Sequence, residues 1–366
     1  MARLLTLQVT RGVAANLVVI SHLFVIEAKF TGANILPTFS SYGIAGVDLF
    51  FILSGFIMVV VAGKDVGAIQ FLWRRAARIY PPYWLVSIIV FAASMAEPVW
   101  VNSSVTAPIS LWRSFLLVPD SAPPLLAVGW TLIHEVYFYF VFAVLLALRI
   151  AIPVGLLGWG LVLLIATILG GDHVTSSPFG RVWTSPLTAE FIMGAAIGVL
   201  FNHKSMRGAA WAGAIGLATL VASIVFVAPA LPLANSTHLD AWRVVLFGVP
   251  AALIVYWLAA LEQNAVRMPA RLLVALGDWS YAIYLTHVLV LSAFGRIIYA
   301  LAPSGVISSL ALIAVGVPAA NLAGAVMFHF FERPTLGMLH RFSSTARVRP
   351  EDRYQVGTKV VETELS

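Results

Sequence analysis

The chain has 366 residues, no cysteine, 60% hydrophobic residues and only 10% charged ones. A soluble domain carries about 25% charged residues, so this composition excludes disorder and a soluble multidomain enzyme and leaves a lipid bilayer as the natural solvent. The missing cysteines exclude disulfides, thiol nucleophiles and thiolate metal sites; the net charge of +6 would suggest nucleic acid only if the basic residues clustered on a soluble face, and they do not.

Apolar runs of about 17–25 residues can cross a bilayer with every backbone group bonded inside its own helix. About ten occur, near 7–27, 43–62, 80–96, 129–149, 152–170, 187–202, 209–229, 242–261, 279–299 and 306–330. The expected fold is therefore an all-α membrane bundle of about ten transmembrane helices. Ten crossings put both termini on one side. Lys29, Arg113, Arg181, Arg243 and Arg296 fall on the other side, and the remaining Lys and Arg gather with the termini. By the positive-inside rule the termini are cytoplasmic. Residues 1–341 are expected to form one integral membrane domain, and the polar stretch 342–366 a short disordered cytoplasmic tail.

The first helix holds Arg11 inside its apolar stretch and lacks a small-residue cleavage site, so a retained helix is expected rather than a signal peptide. An ionisable residue inside a membrane helix costs at least about 2.5 kcal/mol, so each asks for a reason. Arg11 and His22 are eleven residues apart, about 20° beyond three full turns, and share one face roughly 16 Å apart. The shared face argues for a polar groove; the plain alternatives are a positive-inside arginine and a packing histidine.

Asp48 opens the second helix at a depth expected to match that of His22, where it either orients the imidazole or caps the helix. Ser54 and Gly55 further along are read as close-packing residues. Arg74-Arg75-Ala76-Ala77-Arg78 precedes the third helix. Arg75 and Arg78 share a face and suit bidentate phosphate binding, or else anchor the membrane orientation with Tyr80 and Trp84 in the interface. The loop near 97–128 is expected to lie outside and cap an outer cavity.

In Trp130-Thr131-Leu132-Ile133-His134-Glu135 of the fourth helix, Glu135 must pair or protonate. It serves to orient His22 or hold a substrate hydroxyl, or neutralises a basic side chain on another helix. Tyr139 lies one turn below it, and His134 faces elsewhere. Ser280, Tyr284 and His287 form an i, i+4, i+7 stripe on the ninth helix. His287 either lines the site or makes an interhelical hydrogen bond. Glu332, in the Phe331-Glu332-Arg333-Pro334 stretch expected to end the last helix, is read as an ion-pair partner of the arginine cluster.

Taken in order, these segments resemble the acyltransferase-3 family of bacterial multi-pass membrane acyltransferases, nearest its stand-alone members that decorate exopolysaccharides. Arg11 with His22, GVDLFFILSGF, Arg75-x-x-Arg78 followed by Ile-Tyr-Pro, WTLIHEVYFY, SYAIYLTH and the terminal FERP carry the resemblance across most of the chain. It implies a ten-helix fold in the bacterial inner membrane that takes acyl-CoA from the cytoplasm and acylates a carbohydrate hydroxyl. It implies that Arg11 and His22 are required and that Arg75 and Arg78 serve the donor.

Together these readings give a path from Arg75 and Arg78 past Arg11 to His22. His22 acts as general base, since an imidazole with its ordinary pKa of about 6.5 accepts a hydroxyl proton at neutral pH. Asp48 or Glu135 steadies the imidazolium, and a covalent acyl-histidine is the variant. Trp130, Tyr139, Ser280, Tyr284 and His287 are the candidate substrate contacts. The expected partners are acyl-CoA as co-substrate, a glycan or lipid-linked oligosaccharide and membrane lipid, with no bound cofactor, metal or nucleic acid. Polysaccharide-assembly proteins or a second copy of the chain are candidate protein partners. The rival class is a glycolipid transporter or flippase using the same polar path.

Overall fold

The protein was analysed as a computed structural model, which describes residues 4–61, 66–97, 100–101, 108–169, 176–227, 241–264, 271–301 and 305–345. Among these residues every regular element is a helix. All ten expected apolar segments are helical. They are α1 (Leu5–Phe30), α2 (Ala45–Val61, entered through a 3-10 turn at Thr38–Ile44), α3 (Ala68–Ala96), α4 (Gly129–Ala147) and α5 (Ile152–Leu169). Then follow α6 (Leu187–Asn202), α7 (Ala209–Ala222), α8 (Val249–Gln263), α9 (Arg271–Leu301) and α10 (Val306–Met327). Nine helical stretches among the described residues are long and apolar enough to cross a membrane, with Ile152–Ile168 a shorter apolar helix beside them.

The exterior explains the composition. Leu157, Leu161, Val162, Ile165 and Ile168 all point outward from α5. Water would penalise such a surface, whereas acyl chains match it, and the protein is a multi-pass membrane bundle. Inside, α1 packs along α2, α9 and α10, while α2 lies against α6. Membrane helices gain little by hiding apolar surface from apolar lipid, so they associate through close backbone contact. A Cβ on Gly277 of α9 would stand 1.9 Å from the Gln8 carbonyl oxygen of α1, and one on Gly194 of α6 1.9 Å from that of Ile52 in α2. Glycine is obligatory at both crossings. Phe138 of α4 and Phe191 of α6 stack at 4.4 Å in the buried centre.

Three boundaries differ from expectation. First, α3 begins at Ala68 rather than near residue 80, so Arg75 and Arg78 lie inside the helix and not ahead of it. Pro81 and Pro82 sit within it as well. The prolines leave the Ala77 and Arg78 carbonyls without their i+4 donors, and beside them the Tyr281 hydroxyl of α9 donates to the Ile79 carbonyl at 2.8 Å.

Second, Pro334 does not end the last helix. A wider π turn at Phe328–Glu332 resets the hydrogen-bond ladder, and Arg333–Thr345 continues as helix with Pro334 in its first turn, where no donor is needed. Residues 342–345 of the expected tail are thus helical, and the rest of the tail lies outside the described residues.

Third, part of the loop near 97–128 folds back on α3. Its short helix Leu111–Leu116 is pinned by Tyr83 Oη to Ser114 O at 2.7 Å, Trp84 Nε1 to Phe115 O at 2.9 Å and Tyr80 Oη to Leu116 O at 3.1 Å. The three aromatic side chains hold this segment, instead of only marking a membrane interface.

Candidate functional site

Six of the predicted residues, Arg11, Arg75, Arg78, Glu135, Tyr139 and Tyr284, line a cavity of about 90 Å³ between α1, α2, α3, α4 and α9, and His22, Asp48, Trp130, Ser280 and His287 do not. Arg11, Arg75 and Arg78 line it, and Glu135 is the one carboxylate that does. Among the described residues none of the three arginines makes an ion pair within 4.0 Å. Arg75 instead lies over the rings of Phe71 (5.4 Å) and Tyr139 (5.6 Å), with its buried Nε lacking a hydrogen-bond acceptor. Arg11 and Arg78 are close enough to repel each other. Concentrating like charge in a low-dielectric wall is unfavourable without a counter-charge, so the arrangement suits an anion.

Glu135 does not reach an arginine. Its Oε1 accepts the Ser54 hydroxyl at 2.9 Å and the Tyr139 hydroxyl one turn below it, which fixes the carboxylate at the cavity wall. Glu332 is buried behind the site with Arg78 and Arg11 as electrostatic neighbours. It lies on the π turn and, contrary to expectation, makes no ion pair within 4.0 Å among the described residues.

Towards the far side, Phe50 and Tyr284 line the cavity with rings 5.8 Å apart. Tyr284 Oη shares a hydrogen bond with Thr131 Oγ1 at 2.7 Å and lies 3.2 Å from the Val128 carbonyl. Behind it stands His287, 5.8 Å away ring to ring. His287 is fully buried, and its Nε2 lies 3.3 Å from Nδ1 of His22, the two rings edge-on at 76°. His22 Nδ1 is also 3.0 Å from the Val18 carbonyl. Thus Arg11 and His22 share the inner face of α1, with Arg11 on the cavity and His22 reached past Tyr284 and His287.

Asp48 is placed differently from the expectation. On the descending α2, Gly43 meets Leu17 and Ser21 of α1, and Gly46 meets Ala14 and Val18. Two residues further, Asp48 lies roughly two turns from the level of His22. Its carboxylate is gripped by Arg243, Nε to Oδ1 at 3.0 Å and Nη2 to Oδ2 at 2.8 Å, and is fully buried. Glu190 of α6 is buried beside the pair. Asp48 therefore neither caps its helix by a recorded bond nor orients His22.

Of the remaining candidates, Tyr139 lines the cavity while Trp130 and Ser280 do not. Trp130 packs edge-on against His134 at 5.9 Å, and Ser280 is fully buried. His134 is held among Trp130, Phe51 and Phe138, a packing residue. Three polar cavity residues escaped the sequence reading as site residues: Ser54, Thr131 and Tyr281. Helical phase could have found Tyr281, three residues before Tyr284 and on its face, and Ser54, seven after Val47 on the cavity face of α2. Arg243 had no such signal, because its partner lies 195 residues away.

A many-helix membrane bundle with an arginine-lined internal cavity and a histidine pair beyond it defines the class: a multi-pass membrane protein with an interior that suits an anion. The chain belongs to the acyltransferase-3 family, whose acyltransferase domain model matches residues 4–328, and the protein is a membrane acyltransferase. It is similar to the exopolysaccharide production protein ExoZ of Rhizobium meliloti, 30% identical over 306 residues, covering 80% of this chain and 90% of that protein. It is also similar to the acyltransferase MdmB of Streptomyces mycarofaciens, 28% identical over 338 residues, covering 82% and 83% respectively. No solved structure matches the chain significantly.

Proposed function

We propose that this protein is an acyl-CoA-dependent O-acyltransferase of the bacterial inner membrane, with both termini cytoplasmic. It moves a short acyl group, of acetyl or succinyl type, to a hydroxyl of an exopolysaccharide, lipopolysaccharide or lipid-linked glycan. The observation that carries this reading is the cavity wall of three arginines and one carboxylate, with no ion pair among the arginines. Guanidinium forks match phosphate oxygens, and CoA is the phosphate-bearing form in which acyl groups are activated. The cavity volume of about 90 Å³ suits a small acyl group at the end of the donor arm, leaving the rest of the CoA towards the mouth. The relative named for exopolysaccharide production supports a glycan as the acceptor.

In the reaction, Arg75 and Arg78 hold the CoA phosphates while Arg11 lies deeper along the same wall. His22 withdraws the proton from the acceptor hydroxyl as its oxygen attacks the thioester carbonyl. The C–S bond breaks, and the departing thiolate recovers the proton from His22, releasing CoA as the thiol. Glu135, held by Ser54 and Tyr139, faces the substrate rather than the imidazole.

The test is transfer of label from acyl-CoA to glycan by the purified protein in proteoliposomes. His22→Ala is expected to abolish transfer while its abundance in the membrane persists. Substantial residual activity would remove His22 from the role of base. Passage of glycan across the membrane without acylation would make the protein a transporter.

A further inference from the structure

We infer that His287 is the positioning residue for His22, fixing its tautomer so that Nε2 is the nitrogen that takes the proton; this rests on His22 being the base. The argument follows from three distances. His287 Nδ1 is 3.2 Å from the Ile283 carbonyl, and a carbonyl oxygen only accepts, so the Nδ1 of His287 carries hydrogen. His287 is fully buried and has no carboxylate partner among the described residues, which favours the neutral ring. A neutral imidazole has one N–H, and its Nε2 is then a bare acceptor.

That acceptor lies 3.3 Å from His22 Nδ1, and a second acceptor, the Val18 carbonyl, lies 3.0 Å from the same nitrogen. Both contacts are satisfied only when His22 Nδ1 carries the hydrogen and shares it between them. The opposite assignment, with His287 Nε2–H donating, sets lone pair against lone pair at both carbonyls. His22 Nε2 is therefore left with its lone pair, pointing away from Nδ1 and available to a hydroxyl.

His287 thus fills the place that a carboxylate takes in a Ser-His-Asp triad. It accepts the Nδ1–H before reaction and draws off part of the positive charge once Nε2 is protonated. Being neutral, it holds that charge more weakly than an aspartate would, and the imidazolium readily returns its proton to the thiolate. Neither Asp48, locked to Arg243, nor Glu135, held by two hydroxyls, is available for this task.

The experiment compares three variants in proteoliposomes, with whichever of acetyl-CoA and succinyl-CoA the native protein turns over and glycolipid from cells lacking it. In His287→Gln the amide oxygen can stand where Nε2 stood and accept from His22, and kcat is expected to stay within about fivefold of native. His287→Leu fills similar space without an acceptor, and His287→Asn carries a polar group too short to reach. Both are expected to lose about 100-fold in kcat, part of the range for general-base catalysis, with KM for acyl-CoA unchanged. The Asn variant serves if Leu fails to accumulate in the membrane. Equal kcat for Gln, Leu and Asn would overturn the inference while His22→Ala remained inactive. An active His22→Ala would instead overturn the underlying reading.

Discussion

Arg243 and the three cavity arginines occupy the same bundle under opposite rules. Arg243 spends its guanidinium on Asp48 in a bidentate grip, with Glu190 buried alongside, and does not line the arginine cavity. Arg11, Arg75 and Arg78 face one cavity with no carboxylate inside ion-pair distance among the described residues. A charge taken into a membrane must be compensated. At Arg243 the protein supplies the compensation itself and gains a link between α2 and the segment leading into α8. At the cavity it leaves the compensation to whatever binds, converting a cost of folding into affinity.

The largest effect expected from this contrast is at Asp48. Asp48→Ala strands a buried Arg243 and should cost about 3–5 kcal/mol, read as a lower Tm of the solubilised protein. The double variant Asp48→Leu with Arg243→Met should recover most of it, because a buried ion pair replaced whole by apolar groups is often neutral. A single variant as stable as native would collapse the distinction between the two regions. At the cavity, Arg75→Gln with Arg78→Gln should leave Tm within the equivalent of about 0.5 kcal/mol. The same change should raise KM for acyl-CoA about 100-fold, since each charge-assisted contact contributes roughly 1.5 kcal/mol. An unaltered KM would make these arginines a topology anchor. The smallest effect belongs to Tyr139→Phe, which removes one of two hydroxyls from Glu135. A loss of about 1 kcal/mol and a kcat change under about fivefold are expected from thermal unfolding and turnover.

The helices were legible because lipid imposes one strong rule, a long apolar run, and all ten runs are helical. Arg11 and Glu135 were legible for the converse reason, a charge inside such a run standing out against its neighbours, and Arg75 and Arg78 by their clustering on one helical face ahead of a run. What escaped was whatever depends on register between helices. Asp48 was assigned to His22 from depth counted along single helices, yet the glycine contacts set α2 against α1 differently and Arg243 claims the carboxylate. The third helix was expected to begin near 80 because the arginines before it are polar, and the last to end at Phe331-Glu332-Arg333-Pro334, whereas α3 starts at Ala68 and a π turn carries the last helix through Pro334. Tyr281 carries no charge to mark it, and hydropathy cannot distinguish an interface aromatic from a cavity wall.

The straight run of α9 has a consequence for the length of the substrate. Tyr281 and Tyr284 face the cavity and His287 lies against His22, all on one uninterrupted helix. The rise from Tyr281 to His287 is six residues, about 9 Å. With His22 as the proposed base, that helix is a ruler: it sets how far beyond the arginine wall a reactive carbon must extend to meet it. One residue inserted between Tyr284 and His287 would add about 1.5 Å of reach but turn His287 about 100° off its face. Evolution can therefore retune this distance from the donor side or through the acceptor, but not by lengthening the ruler in small steps.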